Sequence, residues 1–164
     1  MSMDIKDFEK QFEGMGFSEP QRTYILAKTW YEFLNESEKE IDQKIVDENE
    51  FFYPEDECGH KKGERITEGF DTCLLVKTKD WDRYEELLET ERRRMGFNFE
   101  KGESMTGEAL RLYSQAANEL VDWGYKKLKE YTNDCPDMDT NLIKRNIVKR
   151  DQFCEIAMKI KGLD

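Results

Sequence analysis

The chain has 164 residues, 38% of them charged and 37% hydrophobic, and its formal net charge at pH 7 is −11. This length fits one domain over residues 1–164, and the many phenylalanine, tyrosine and tryptophan residues at helical spacing argue against a disordered chain. The negative charge argues against direct binding to nucleic acid or to an anionic membrane.

Apolar residues at helical spacing predict a short first helix that ends near Gly14. Ser18 and Gln21 have the spacing of a capping box, in which two side chains satisfy the free N–H groups at a helix start. We therefore expect a long second helix from Ser18. Its apolar positions continue, more thinly, towards Phe52.

After the second helix the pattern is interrupted by four residues that break helices, Pro54, Gly59, Gly63 and Gly69. They predict a small irregular or β-hairpin insert around residues 54–78. Asp80 has the side chain of a helix N-cap and Gly96 is a typical helix stop. A third helix is expected between them.

Two further helices complete the predicted fold. A fourth helix is expected to begin at Ser104 or Thr106 and to last to about Tyr131. The last helix is expected to be capped by Asp139 or Thr140. The predicted fold class is therefore all-α, a bundle of about five helices with the insert described above.

A run of acidic residues between Glu32 and Glu57 is the most informative feature of the sequence. It holds eleven carboxylates against two lysines, Lys39 and Lys44. Residues 1–60 hold 16 acids and 6 bases, so this N-terminal third is acidic and the remainder is near neutral. Because the run coincides with the second helix and the loop after it, we expect the carboxylates on the outer surface.

Two interpretations of this run stay open. In the first, it is a solvated helix face that aids solubility. In the second, the carboxylates imitate nucleic-acid phosphates, because eleven charges over 26 helical residues would give roughly one per 3.5 Å, close to the roughly 3.4 Å of a single strand. Capture of a divalent metal is disfavoured, because no tight loop gathers the acids.

The second interpretation predicts a non-enzymatic inhibitor without a cofactor. It would dock its acidic helix on the basic surface of a nucleic-acid-binding protein or a nuclease complex. As a small, acidic chain rich in aromatic residues, the sequence resembles in type the accessory proteins of phages and mobile elements, including those that act against host defence. The residues predicted to bind the partner are Glu36, Glu40, Asp47, Glu50, Asp56 and Glu57.

An enzymatic alternative comes from two acidic motifs, Glu85-Glu86-Leu87-Leu88-Glu89 and Glu119-Leu120-Val121-Asp122. They resemble the EExxE and ExxD motifs of the MazG-like all-α nucleoside triphosphate pyrophosphatases. The 29 residues between the motifs exceed the spacing expected of that family. The resemblance implies a Mg²⁺ cofactor held on two helix faces by Glu86, Glu89, Glu119 and Asp122.

The four cysteines lack the paired spacing of a disulfide scaffold, so we expect reduced thiols. Cys58, His60 and Cys73 offer three zinc ligands, with a fourth to come from Cys135, Cys154 or a nearby acid. No CxxC pair anchors such a site. His60 is the only histidine and is expected to be exposed in a polar loop.

The N-terminus has neither the basic start nor the apolar centre of a signal peptide, and no stretch of sequence has the length and apolarity of a membrane span. We therefore expect a cytoplasmic protein, in the host cytoplasm if a phage encodes it. Arg92-Arg93-Arg94 and the basic pairs near the C-terminus are expected to pair with acids inside the fold or across a homodimer. A structural or oligomeric assembly component is a third class of function.

Overall fold

The computed structural model describes residues 5–56, 59–67, 80–97, 106–132 and 140–161. These residues are mostly helical and contain no sheet. The helices are α1 (Lys6–Glu9), α2 (Glu19–Glu48), α3 (Trp81–Arg94), α4 (Gly107–Thr132), α5 (Thr140–Arg145) and α6 (Ile147–Met158), with a 3-10 turn at Lys10–Phe12. The prediction of an all-α bundle of about five helices is confirmed.

The chain divides into two compact units. The acidic unit comprises residues 1–3 and 33–106, and the second unit comprises residues 4–32 and 107–164. Residues 33–106 hold 21 acids and 12 bases, so the acidic unit carries −9 of the net charge of −11. The excess charge therefore belongs to one compact part of the molecule, whereas the single domain over residues 1–164 stays a prediction.

The core of the second unit is built from residues of α2, α4 and α6. Its buried members are Tyr24, Ala27, Tyr113, Ala116, Ala117, Leu120, Val121, Phe153, Cys154 and Ala157. Gly124 lies where α4 passes α6: a Cβ atom added at Gly124 would lie 2.7 Å from the Cβ of Ala157. The absence of a side chain at Gly124 allows this close approach.

The last predicted helix is interrupted in the structure. Asn146 separates α5 from α6, and its side chain accepts a hydrogen bond of 3.3 Å from the backbone N–H of Lys149. Asn146 thus acts as the N-cap of α6. The prediction of one continuous helix was wrong here because the isoleucines on either side keep helical spacing across the break. Thr140 begins α5, while Asp139 lies outside the described residues.

The predicted start of α2 is confirmed. The backbone N–H of Ser18 donates to Oε1 of Gln21 at 3.0 Å, which is one of the two bonds of a capping box. The Ser18 hydroxyl donates to the same Oε1 at 3.1 Å, so the second bond of the box is not formed. Nε2 of Gln21 donates to the carbonyl of Ala157 at 3.0 Å, so the same side chain also ties α2 to the end of α6 within the second unit. Helix α2 ends at Glu48 and not near Phe52, because the chain turns there into a paired loop.

The loop after α2 contains a short antiparallel pairing. The N–H of Ile66 donates to the carbonyl of Phe51 at 2.7 Å, and the N–H of Tyr53 donates to the carbonyl of Glu64 at 2.9 Å. Phe51, Tyr53 and Ile66 are buried. The predicted hairpin insert therefore begins at Phe51, three residues earlier than expected. Its parts over residues 57–58 and 68–78 lie outside the described residues.

Of the two residues predicted to bound α3, one acts as expected and the other does not. At its C-terminus, Gly96 has φ +92°, and the N–H of Phe97 donates to the carbonyl of Arg92 at 2.8 Å, which is the hydrogen bond of a Schellman motif. Gly96 therefore stops the helix as predicted. At its N-terminus, Asp80 occupies the N-cap position, but its side chain makes no capping hydrogen bond.

Substitution of Gly124 by alanine tests the close approach of α4 and α6. The new methyl group would overlap the Cβ of Ala157, so we expect the free energy of unfolding to fall by about 1–3 kcal/mol. This fall would occur although alanine favours a helix over glycine by about 1 kcal/mol. Urea unfolding followed by circular dichroism measures the change.

The control for this experiment is Ala157→Gly in the Gly124→Ala background. It removes the overlapping methyl group and is expected to restore part of the lost stability. A Gly124→Ala protein more stable than the wild type would contradict the close packing of α4 on α6.

Candidate functional site

Two basic side chains of the acidic unit bind carboxylates between α2 and α3. Nη2 of Arg92 lies 2.8 Å from Oε1 of Glu38, and the Arg92 side chain is only 9% exposed. Nζ of Lys44 lies 3.0 Å from Oε2 of Glu91. Arg94 contacts the same oxygen of Glu91 at 2.9 Å. Arg92 thus pairs inside the fold, which is one of the two alternatives expected for these arginines, whereas Arg94 is exposed and pairs with a neighbour on α3.

Two other arginines hold the turn that follows α2. Nη2 of Arg65 donates to the carbonyl of Asp47 at 3.1 Å, and Nη2 of Arg83 donates to the carbonyl of Glu50 at 2.7 Å. The last turn of α2 contains no base of its own. Arg65 therefore supplies from the loop the positive charge that stabilises the negative end of a helix.

Five of the acids predicted to bind a partner are exposed. Glu36 and Glu40 are exposed on α2, as is Asp47 near its end. Glu50 and Asp56 are exposed in the loop. We call these five residues the carboxylate face. They are five of the six residues predicted to bind a partner; Glu57, the sixth, lies outside the described residues.

Glu36, Glu40 and Asp47 share one side of α2. Their spacing of four and seven residues returns to nearly the same direction around a helix. Oε1 of Glu36 lies 3.7 Å from Nζ of Lys39, and Oδ1 of Asp47 accepts a hydrogen bond from Gln43 at 2.9 Å. These contacts are with exposed or partly exposed neighbours, so the three carboxylates remain accessible from solvent.

The negative charge of Asp56 is offset by nearby lysines more than the charges of the acids on α2 are. Its Oδ1 accepts a hydrogen bond from the backbone N–H of Lys62 at 2.7 Å. Lys61 and Lys62 are both exposed. The strongest part of the carboxylate face is therefore the side of α2 that carries Glu36, Glu40 and Asp47.

The comparison with a phosphate strand requires correction. Glu38 and Asp42 belong to the acidic run, but Glu38 is paired with Arg92 and Asp42 accepts a hydrogen bond from the hydroxyl of Tyr84. The exposed carboxylates of the run on α2 are Glu32, Glu36, Glu40, Asp47 and Glu48. They are spread over about 24 Å of helix, or about one charge per 6 Å. Since α2 also ends before Glu50, the exposed charges are sparser than the phosphates of one strand.

A cleft of about 370 Å³ lies between α2 and α3 within the acidic unit. We call it the α2–α3 cleft. It is lined by Asn35, Glu38, Lys39 and Asp42 from α2 and by Trp81, Tyr84 and Leu88 from α3. The rings of Trp81 and Tyr84 stack with their centroids 5.4 Å apart. No motif in the sequence predicts this cleft, because its lining comes from two helices.

The acids of the proposed magnesium motifs are distributed over both units. Glu86 and Glu89 lie on α3, whereas Glu119 and Asp122 lie on α4. Oδ1 of Asp122 lies 3.0 Å from Nζ of Lys144. Within the described ranges, no three His, Cys, Asp or Glu residues form a group that could hold a metal ion. No contact among the described residues tests the set of Glu86, Glu89, Glu119 and Asp122, so the enzymatic alternative with Mg²⁺ stays a prediction.

Of the three proposed zinc ligands, the structure describes only His60. His60 stacks on Tyr53 with ring centroids 4.4 Å apart, and its Nδ1 lies 3.3 Å from Oε2 of Glu64. His60 is thus half-buried, contrary to the exposed position expected. Cys58, Cys73 and Cys135 lie outside the described residues.

Cys154 is a core residue of the second unit. Burial raises the pKa of its thiol to about 12. The thiolate is the form that binds zinc and acts as a nucleophile. Cys154 is fully buried and packs in the core of the second unit. The zinc hypothesis stays a prediction.

Comparisons of this chain with protein-family models, with curated proteins and with solved structures give no match. Among the helices in the described part of the chain, none combines the length and the apolar character that a membrane span needs. The charges and contacts of the acidic unit are therefore the basis for inferring a function.

Substitution of Arg92 by alanine tests the internal ion pair. It leaves Glu38, whose side chain is 27% exposed, without its guanidinium partner. We expect the free energy of unfolding to fall by about 1–3 kcal/mol, less than for a fully buried pair because water reaches Glu38. The control is Arg93→Ala, since Arg93 is exposed and next in the chain. Equal losses in the two variants in urea unfolding would contradict the special role of Arg92.

Substitution of Glu91 by glutamine tests the ion pair between Lys44 and Glu91 through the pH dependence of stability. Hydrogen bonds from Lys44 and then Arg94 hold the pKa of Glu91 below its usual 4.5. Its contribution to stability is therefore full above pH 4.5 and is lost as the pH falls through the lowered pKa. We expect Glu91→Gln to be less stable than the wild type at pH 6, with a difference that shrinks below pH 4.5.

This pH effect is measured by urea unfolding at pH 6, 4.5 and 3. The control is Lys44→Gln in the Glu91→Gln background, which is expected to add little because the partner is already gone. A difference between wild type and Glu91→Gln that stays constant from pH 6 to pH 3 would contradict the assignment.

Proposed function

We propose that this protein is a non-enzymatic binding protein that docks its carboxylate face on a basic, nucleic-acid-handling surface of another protein and inhibits it. The observation that carries the proposal is the separation of charge in the acidic unit. Arg92 and Lys44 bind acids between the helices, Arg65 binds carbonyls, and the carboxylate face stays exposed.

This separation costs stability, because like charges four residues apart on a helix repel each other. Glu36 and Glu40 have this spacing and are both exposed. A basic partner would relieve the repulsion and gain from the field of a unit that carries −9. Solubility alone would be served equally well by acids dispersed over both units.

Inhibition follows from competition for the same surface. The lysines and arginines that bind phosphates would be covered by the carboxylate face, so nucleic acid and this protein could not bind together. The sparse spacing of the exposed carboxylates on α2 supports attraction through the field of the unit and not a copy of phosphate positions. A protein of phage or mobile-element origin, acting on a host nuclease complex, fits this mode of action.

Charge reversal tests the proposal. The variant Glu36→Lys/Glu40→Lys/Asp47→Lys is expected to lose at least tenfold in affinity for the partner, because it replaces attraction by repulsion across the interface. The wild-type interaction is expected to weaken steeply above 0.1 M salt, where the Debye length falls to about 10 Å. Duplex DNA or RNA is expected to displace the protein from its partner.

The experiment is affinity capture from nuclease-treated host lysate at low and high salt, followed by titration of the captured partner. The matched control is Glu108→Lys/Glu130→Lys/Glu155→Lys, which changes the net charge equally at exposed positions of the second unit. The control is expected to retain most of the affinity. Unchanged affinity of the carboxylate-face variant for the same partner would contradict the proposal.

A further inference from the structure

We propose that the α2–α3 cleft binds an arginine side chain of the basic partner. This inference rests on the proposed function and adds a recognition site to it. The cleft has a volume of about 370 Å³ and lies in the acidic unit beside the carboxylate face. Lys39 joins the two surfaces, because it lines the cleft and lies 3.7 Å from Glu36.

The α3 side of the cleft offers an aromatic surface. Trp81, Tyr84 and Leu88 line it at a spacing of three and four residues, so they share one face of the helix. Trp81 is partly exposed, and Tyr84 behind it is buried. An indole ring is the best aromatic partner for a cation, and a planar guanidinium also stacks on it.

The α2 side of the cleft offers carboxylates. Glu38 and Asp42 are one helical turn apart and both line the cleft. Asp42 accepts a hydrogen bond from the hydroxyl of Tyr84, which fixes the position of its carboxylate. A carboxylate has acceptor capacity for more than one donor. Asp42 and Trp81 line the same cleft, so a guanidinium bound there can contact both.

The bases near the cleft do not reverse its preference for a cation. Arg92 is held at 2.8 Å by Glu38, and Lys39 lies beside Glu36. The contact between Arg92 and Glu38 also shows that carboxylates of this α2 face accept a guanidinium. An anion would lie against the carboxylates of Glu38 and Asp42, and an apolar group would remove part of their hydration without supplying a hydrogen-bond donor.

The test compares two peptides of equal charge, hexaarginine and hexalysine, titrated into the full chain by isothermal calorimetry at 20 mM salt. The wild type is expected to bind hexaarginine more tightly than hexalysine. Trp81→Leu is expected to lose about fivefold in affinity for hexaarginine, within the range known for a cation over an indole ring. Its affinity for hexalysine should change by less than twofold.

Asp42→Asn is the second variant, because asparagine still accepts from the hydroxyl of Tyr84 while the charge is lost. Its matched control is Glu40→Gln, which removes the same charge from an exposed position of α2 outside the cleft. Asp42→Asn is expected to reduce the preference for arginine. Glu40→Gln is expected to weaken the binding of both peptides equally. Circular dichroism confirms that each variant is folded.

The outcomes separate this inference from the proposed function. Equal affinity of the wild type for the two peptides, or an arginine preference that survives in both Trp81→Leu and Asp42→Asn, would overturn the arginine site alone. Unchanged binding of both peptides by Glu36→Lys/Glu40→Lys/Asp47→Lys would overturn the carboxylate face as a docking surface. Failure of both peptides to bind the wild type would overturn both proposals.

Discussion

The ion pairs between α2 and α3 are the interaction on which the rest of the acidic unit depends. Arg92 bound to Glu38 and Lys44 bound to Glu91 use basic charge inside a unit that has far more acids than bases. Each base held in this way is unable to neutralise an acid on the surface. The unit therefore gains internal cohesion and an outer carboxylate face from the same placement of charge.

The two units show different ways of being held together. The second unit has a core of alanines, aromatic residues and leucine, and its α4 and α6 approach closely at Gly124. The acidic unit adds polar ties to its apolar core: Arg65 and Arg83 bind the carbonyls around the end of α2, and the loop pairs with itself through Phe51 and Ile66. The proposed docking surface lies on the acidic unit, which carries −9 of the net charge.

Local signals in the sequence were sufficient for the helices and for several of their ends. The capping box of Ser18 and Gln21 and the stop at Gly96 depend on residues a few positions apart, so they are predictable. The break at Asn146 was not predicted, because apolar spacing continues across it. Glu38 and Asp42 were expected outside; their inward position depends on Arg92 and Tyr84, more than forty residues away along the chain. The α2–α3 cleft was not predicted for the same reason, since its lining comes from two helices.

The central claim is that the exposed carboxylates of the acidic unit form an electrostatic docking surface. The most direct measurement is a map of backbone amide chemical-shift changes as the ¹⁵N-labelled protein is titrated with hexalysine at low salt. We expect the largest changes at residues 36–56, and we expect them to disappear as salt is raised. Changes of similar size around the exposed acids of the second unit, or a centre of binding on α4 and α6, would contradict it.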